Sequence, residues 1–142
     1  MSTLHQINER IRTFEQAIRT TQKPSPGPLK VGVDLGTAYI VLVVLDQQDK
    51  PVCCELQAAD VLRDGVVVDF FGAQSIVRTL KEKAEKRLGQ TLERCAIAMP
   101  PGTDSSEKTH LYVVEGAGLD VVRVLDEPTA ANSVLNIQDG VI

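Results

Sequence analysis

The run Asp34-Leu35-Gly36-Thr37 separates two apolar, β-branched segments of the chain. Glycine lets a backbone approach a phosphate closely, and the Thr37 hydroxyl and neighbouring amides can donate hydrogen bonds to phosphate oxygens. The Asp34 carboxylate can hold a magnesium ion through water. The run is therefore a candidate phosphate and metal site, although taken alone it also fits an ordinary hairpin turn.

Two later segments each join a predicted strand to a predicted helix. In Ala96–Gly102, a double proline ends the strand, and Thr103–Ser106 can cap the helix that follows. In Val124–Asn132, the strand ends at Asp126 and Glu127, and Pro128 lies near the first turn of a helix. Taken singly, these segments fit a plain strand-to-helix turn and acids that complement a helix dipole. The order and spacing of all three segments favour a shared site.

In this order the segments resemble the ATPase domain of the actin and heat-shock-chaperone superfamily. Asp34 to Thr37 matches its first phosphate motif, Asp-x-Gly-Thr, and Asp126 to Ala131 is similar to its Asn-Glu-Pro-Thr-Ala-Ala signature. The run Arg63–Asp69 before a long helix resembles the compact members, which include a protein of ethanolamine utilisation. The resemblance covers roughly Lys30 to Ile142.

The resemblance implies a role for each matching residue. Asp34 would position magnesium and its waters, Gly36 and Thr37 would contact the terminal phosphates of ATP, and Glu127 would orient the attacking water. Asp126 replaces the usual asparagine and adds a second carboxylate to the nucleotide site, which can raise one pKa. The implied cofactors are ATP and Mg²⁺. The implied reaction is in-line phosphoryl transfer to water, driven by positioning and charge neutralisation.

The superfamily also requires a second glycine-rich phosphate loop and an adenosine-binding glycine pair, and neither occurs in these 142 residues. We therefore expect a truncated first lobe that binds ATP weakly and hydrolyses it negligibly. For the complete protein, the resemblance implies an ATP-binding, chaperone-like factor of ethanolamine utilisation. The alternatives are a non-catalytic scaffold resembling pilus-assembly or cell-division members and a sugar or acetate kinase. The Glu-Pro-Thr-Ala-Ala string argues against the kinase.

The apolar pattern predicts the elements that position these residues. A meander of three or four strands is expected from the β-branched runs at Val31–Asp34, Ala38–Asp46, Val52–Leu56 and Val66–Asp69. A strand, a helix, a strand and a helix should then follow at Arg94–Met99, about Ser105–Gly116, Val121–Leu125 and from near Pro128. Such alternation favours parallel strands. Together with the resemblance, it predicts an α/β actin-like ATPase (ribonuclease H-like) subdomain with a mixed five-stranded sheet and flanking helices.

A long helix should span Phe70–Leu88, because its apolar residues recur at helical spacing. Basic residues in its last turns and the following Gly89 are typical of a helix C-terminus. The predicted buried stripe consists of Ala73, Ile76, Val77, Leu80, Ala84 and Leu88. The predicted solvated face consists of Lys81, Glu82, Lys83, Glu85, Lys86 and Arg87.

The pattern divides the chain into an amphipathic helix at residues 1–20, a Pro/Gly linker at 21–28 and the lobe at 29–142. The helix could cover the lobe, pair with a copy of itself or bind a partner. Short helices on such linkers resemble the peptides that recruit enzymes into bacterial microcompartments. Ethanolamine-utilisation enzymes or microcompartment shell proteins are therefore expected partners. The predicted contact stripe consists of Leu4, Ile7, Ile11, Phe14 and Ile18.

Charge and composition exclude other classes. The net charge of −4 leaves no broad basic field for nucleic acid. No apolar run reaches the roughly 20 residues that span a bilayer, and no signal peptide is recognisable. Cys53, Cys54 and Cys95 lack metal or dithiol spacing, which favours a reducing cytoplasm or a microcompartment within it. Because Cys53 and Cys54 alternate along a strand, at least one should be core.

Overall fold

A computed structural model describes residues 12, 15–99 and 104–126. Residues 15–19 are helical and precede the first strand. The strands are β1 Lys30–Leu35, β2 Tyr39–Leu45, β3 Pro51–Ala58, β4 Leu62–Arg63, β5 Val66–Val67, β6 Arg94–Met99 and β7 Asp120–Asp126. The helices after β5 are α1 Phe70–Leu88 and α2 Asp104–Gly116. The helix predicted from near Pro128 lies outside the described residues.

Five strands form one mixed sheet in the order β3-β2-β1-β6-β7. The first three strands form an antiparallel meander because short turns join them. β6 and β7 are parallel to β1 and to each other, since each follows a helix that returns the chain to the same end of the sheet. The predicted mixed five-stranded sheet with flanking helices is confirmed.

The fourth predicted strand does not extend this meander. Its first residues form β5, which pairs with β4 in a two-stranded sheet separate from the main one. Asp64 and Gly65 both have positive φ, at 53° and 78°, as a two-residue turn of the mirror-image type requires. The local turn chemistry therefore produces a small hairpin, and the main meander keeps three strands.

The core lies between one face of the sheet and the two helices. Val31, Val33 and Leu35 alternate along β1 and are buried on this face. The predicted stripe of α1 provides the opposing surface through Ala73, Val77, Leu80 and Ala84, with Ile76 and Leu88 partly buried against it. The Asp69 carboxylate accepts a hydrogen bond from the Gly72 amide at 2.9 Å and caps the helix.

The predicted linker makes contacts with the lobe. The Gln22 amide donates to the Val52 carbonyl at 2.8 Å, and the Ser25 amide donates to Asp46 Oδ2 at 3.1 Å. At the end of the N-terminal helix, Ala17 is buried, whereas Ile18 from the predicted stripe is 42% exposed. Leu4, Ile7, Ile11 and Phe14, also predicted on that stripe, lie outside the described residues.

All three cysteines are buried and unbridged, in agreement with core packing at Cys53 or Cys54. Burial raises the pKa of Cys54 to about 11 and that of Cys95 to about 12, so both remain neutral thiols at pH 7. Within the part of the chain that the structure describes, no helix is both long and apolar enough to cross a membrane.

Candidate functional site

Three parallel strands have their carboxyl ends at the same end of the sheet. The two acidic positions of the predicted site, one in β1 and one in β7, both lie at this end. Asp34 on β1 pairs with Ala98 on β6, and Ala98 pairs with Leu125 on β7. Asp126 follows Leu125 and ends β7. Neighbouring strands lie about 4.8 Å apart, so the Asp34 and Leu125 backbones are separated by roughly 10 Å. Such an edge is where open α/β sheets bind ligands.

Asp34 lies on the sheet face turned away from α1 and α2. Its neighbours Val33 and Leu35 are buried in the helical core, and successive side chains of a strand point to opposite faces. Asp34 itself is partly buried. The Asp34 carboxylate therefore lies on this face of the sheet, one residue before the end of β1.

The β1–β2 turn is tightly closed at its base and exposed at its tip. The Gly36 amide donates to the Tyr39 carbonyl at 2.9 Å. A Cβ added to Gly36 would lie only 2.6 Å from that same oxygen, so the turn has no room for a side chain there. Thr37 and Ala38 are exposed at the tip. The Thr37 hydroxyl and the tip are therefore accessible to a phosphate group.

The part of the predicted site that follows β7 lies only partly within the described residues. The backbone of Asp126 belongs to β7, while its side chain, together with Glu127, lies outside the described residues. The structure thus brings the Asp34 loop and the end of β7 to the same edge. The role predicted for Glu127 remains a prediction.

The residues present fit a magnesium ion that is held mainly by phosphate and water. Among residues 12, 15–99 and 104–126, no cluster of three or more His, Cys, Asp or Glu side chains could form a metal cage. Magnesium in nucleotide sites typically uses one or two carboxylates with phosphate oxygens and waters. Asp34 beside an open turn meets that requirement.

Two features were not recognised in the sequence. The carbonyl of Tyr39 closes the phosphate-loop candidate, and the cue for this was the short spacing between Gly36 and the next strand. His110, to which the sequence assigned no role, is buried on α2. Burial lowers its pKa, and an interaction with the Gly65 backbone offsets this only in part. His110 belongs to the packing of the β4–β5 hairpin rather than to the candidate site.

Comparisons with known proteins show what this chain resembles in sequence. The family model described as Hsp70 protein matches residues 72–138. Proteins named ethanolamine utilization protein EutJ from Escherichia coli strain K12 and from Salmonella typhimurium are each 41% identical over 133 residues. Each match covers 94% of this chain and 47% of the relative. The chain therefore spans about half the length of these curated relatives.

A solved structure gives the same result for the fold. The crystal structure of EutJ from Carboxydothermus hydrogenoformans matches with a TM-score of 0.89 and 46% sequence identity, covering 98% of this chain and 52% of that one. The chain therefore has the fold of the Hsp70-like and actin-like ATPases. It is a homologue of EutJ over almost its whole length.

Proposed function

We propose that this chain supplies the first phosphate loop and the metal-positioning carboxylate of an ATP site in a chaperone-like protein of ethanolamine utilisation. The observation that carries the proposal is the pairing of Asp34 and Leu125 with the same residue of β6. It supports a common position for the Asp34 loop and the end of β7 at Asp126. The names of the homologues support the pathway.

The roles follow from the residue chemistry. The Thr37 hydroxyl donates a hydrogen bond to the terminal phosphates, Gly36 lets the backbone approach them closely, and Asp34 orients the waters of the metal. Bound Mg²⁺ neutralises charge on the phosphate oxygens. Glu127 accepts a hydrogen bond from the attacking water and orients it for in-line displacement. Asp126 adds a second carboxylate beside it.

By itself, this stretch of sequence should bind nucleotide weakly, because it lacks the second phosphate loop and the adenosine-binding glycine pair. Titration calorimetry with Mg-ATP should give an affinity weaker than micromolar, with negligible phosphate release. Asp34→Asn should weaken the residual binding further. Asp49→Asn is the matched control, because Asp49 lies in the β2–β3 turn at the other end of the sheet. A micromolar affinity for this chain would contradict the prediction of weak binding, and residual binding that Asp34→Asn leaves unchanged would contradict the proposed role of Asp34.

A second candidate function is nucleotide-independent assembly, as in scaffold members of the superfamily. The observation that favours it is a set of exposed apolar side chains at the β4–β5 hairpin and the start of α1, namely Val66, Val68 and Phe71, the last 79% exposed. Light scattering without nucleotide separates the two functions. Stable oligomers that Phe71→Ser disrupts would favour the scaffold.

The N-terminal helix is proposed to bind ethanolamine-utilisation enzymes or shell proteins in the cytoplasm. Its exposed Ile18 leaves apolar surface available at the end of the helix. Deletion of residues 1–27 should abolish co-localisation with shell proteins in cells that form microcompartments. Unchanged co-localisation would remove this part of the proposal.

A further inference from the structure

Arg87, in the last turn of α1, connects three separate segments of the chain. Its guanidinium donates to the Ala17 carbonyl in the N-terminal helix and to Thr21 Oγ1 in the linker at 2.9 Å. It also donates to the Cys54 carbonyl at 3.0 Å and to Glu55 Oε1 at 3.0 Å on β3. The rigid fork of arginine donors suits several acceptors at once, which a lysine ammonium could not match.

The environment makes these contacts stronger than those of an ordinary surface pair. The Arg87 and Glu55 side chains are only 20% and 19% exposed. Ala17 lies at the end of its helix, where carbonyls lack partners within the helix and the dipole favours a cation. Glu55 thus holds the guanidinium in place, and the guanidinium holds the helix end.

The chain that follows the N-terminal helix lies along an edge of the sheet. β3 is an edge strand, and its Val52 carbonyl accepts from the Gln22 amide while its Cys54 carbonyl accepts from Arg87. The first residues of β3 are accordingly buried, whereas Leu56 to Ala58 are exposed. Edge strands are prone to pairing with other chains, and covering the edge prevents it.

The linker has a second attachment to the lobe, at the turn between β2 and β3. The buried Asp46 carboxylate accepts from the amides of Gln48 and Lys50 in its own turn and from the Ser25 amide. Gln47 Nε2 also donates to the Pro28 carbonyl at 2.8 Å. The linker is therefore hydrogen-bonded to the lobe near both of its ends.

We propose that residues 15–28 form a strap over the β3 edge and that Arg87 is the latch that holds it closed. The latch also sets the orientation of the N-terminal helix, with Ala17 inward and Ile18 toward solvent. The strap lies along β3, which is the outer strand on the opposite side of the sheet from β7. It does not depend on the nucleotide site. Its test is therefore independent of the proposed ATP chemistry.

Hydrogen exchange of the full chain measured by mass spectrometry tests the latch with Arg87→Gln. Exchange in peptides covering residues 15–28 should accelerate by about tenfold or more, because charge-assisted hydrogen bonds are lost. Peptides from β1 and β6 should stay within about twofold of the unmodified protein. Lys86→Gln, an exposed cation on the same turn, is the matched control and should change neither region.

A second variant keeps the test decisive if Arg87→Gln does not fold. Thr21→Val removes one acceptor on the strap and leaves the lobe unaltered. It should accelerate strap exchange by about threefold or more without affecting β1. Strap exchange at the unmodified rate in the folded variants would overturn the proposal. An equal acceleration in β1 and β6 would also overturn it, because Arg87 would then only stabilise the whole lobe.

Discussion

Asp34 on β1 and Leu125 on β7 pair with opposite sides of the same residue, Ala98 on β6. This relationship places the first residue of the phosphate-loop candidate level with Leu125 in β7, one residue before Asp126. Two motifs about ninety residues apart in sequence thereby reach one edge of a sheet, as parallel strands require.

Gly36→Ala should destabilise the lobe. The new methyl group would meet the Tyr39 carbonyl, a backbone atom that cannot move without disturbing the β1–β2 pairing. We expect a loss of about 1–3 kcal/mol in the free energy of unfolding, measured by urea denaturation. Thr37→Ala, at the exposed tip of the same turn, should cost less than about 0.5 kcal/mol. Equal stability of the two variants would contradict the tight-turn interpretation.

Asp46→Asn should loosen the linker attachment. Burial alone would raise the pKa of Asp46, but hydrogen bonds from the Lys50, Ser25 and Gln48 amides outweigh it and lower the pKa below its ordinary value. The carboxylate therefore stabilises the fold above its unfolded pKa, and this stabilisation disappears as pH falls through the lower folded value.

An asparagine at this position would turn a donor group toward backbone amides, so we expect a loss on the order of 1–3 kcal/mol at pH 7 by urea denaturation. Asp49→Asn in the same turn is the control, because its ion pair with Lys30 is exposed and should contribute less than about 1 kcal/mol. If the two variants lost the same stability, the anchoring role of Asp46 would be wrong.

His110 should make the lobe sensitive to mild acid. Burial lowers its pKa in the folded state, while in the unfolded chain the imidazole gains a proton near pH 6.5. The unfolded state therefore binds more protons below about pH 6.5, and the free energy of unfolding falls as the pH drops further.

Urea denaturation at pH 7.5 and pH 5.5 would measure this fall. His110→Leu should show a smaller decrease between the two pH values, and His5, present in both proteins, contributes equally to each. Identical decreases in the two proteins would show that His110 does not titrate on unfolding.

Local pattern predicted much of this fold. The bounds of α1 followed from helical spacing and from Gly89. The short strand β4 was not predicted, although the turn after it contains Asp64 and Gly65 at positive φ. The pattern did not show that this hairpin leaves the main sheet, because a strand of two residues carries little information about its partner.

The prediction of a solvated face on α1 was partly wrong, because tertiary contacts bury some of its residues. Lys81, Glu85 and Arg87 are mostly buried. Lys81 pairs with Glu85, which also accepts from the Leu92 amide, while Arg87 reaches partners up to 70 residues away in sequence. Tertiary contacts of this kind leave no periodic signal along the chain.

The position of the candidate nucleotide site could be predicted only as far as the arrangement of its strands could be predicted. The alternating pattern predicted that β6 and the strand ending at Asp126 are parallel neighbours. It did not predict that β1, which carries Asp34, pairs in parallel with β6, because β1 was predicted only as part of the meander. The closing role of the Tyr39 carbonyl was not predicted, because the short spacing between Gly36 and the next strand indicates a tight turn but not which backbone carbonyl closes it.

The most direct test of the account is nuclear magnetic resonance with paramagnetic Mn²⁺-ATP titrated into the chain, since weak binding suffices for the effect. The account predicts that amide signals of residues 34–37 and 125–127 broaden together. Signals of Asp46 to Lys50, at the other end of strands about 20 Å long, should remain sharp. Asp34→Asn should abolish the effect. Broadening of one segment without the other, or of the Asp46 turn instead, would contradict a shared metal-phosphate position.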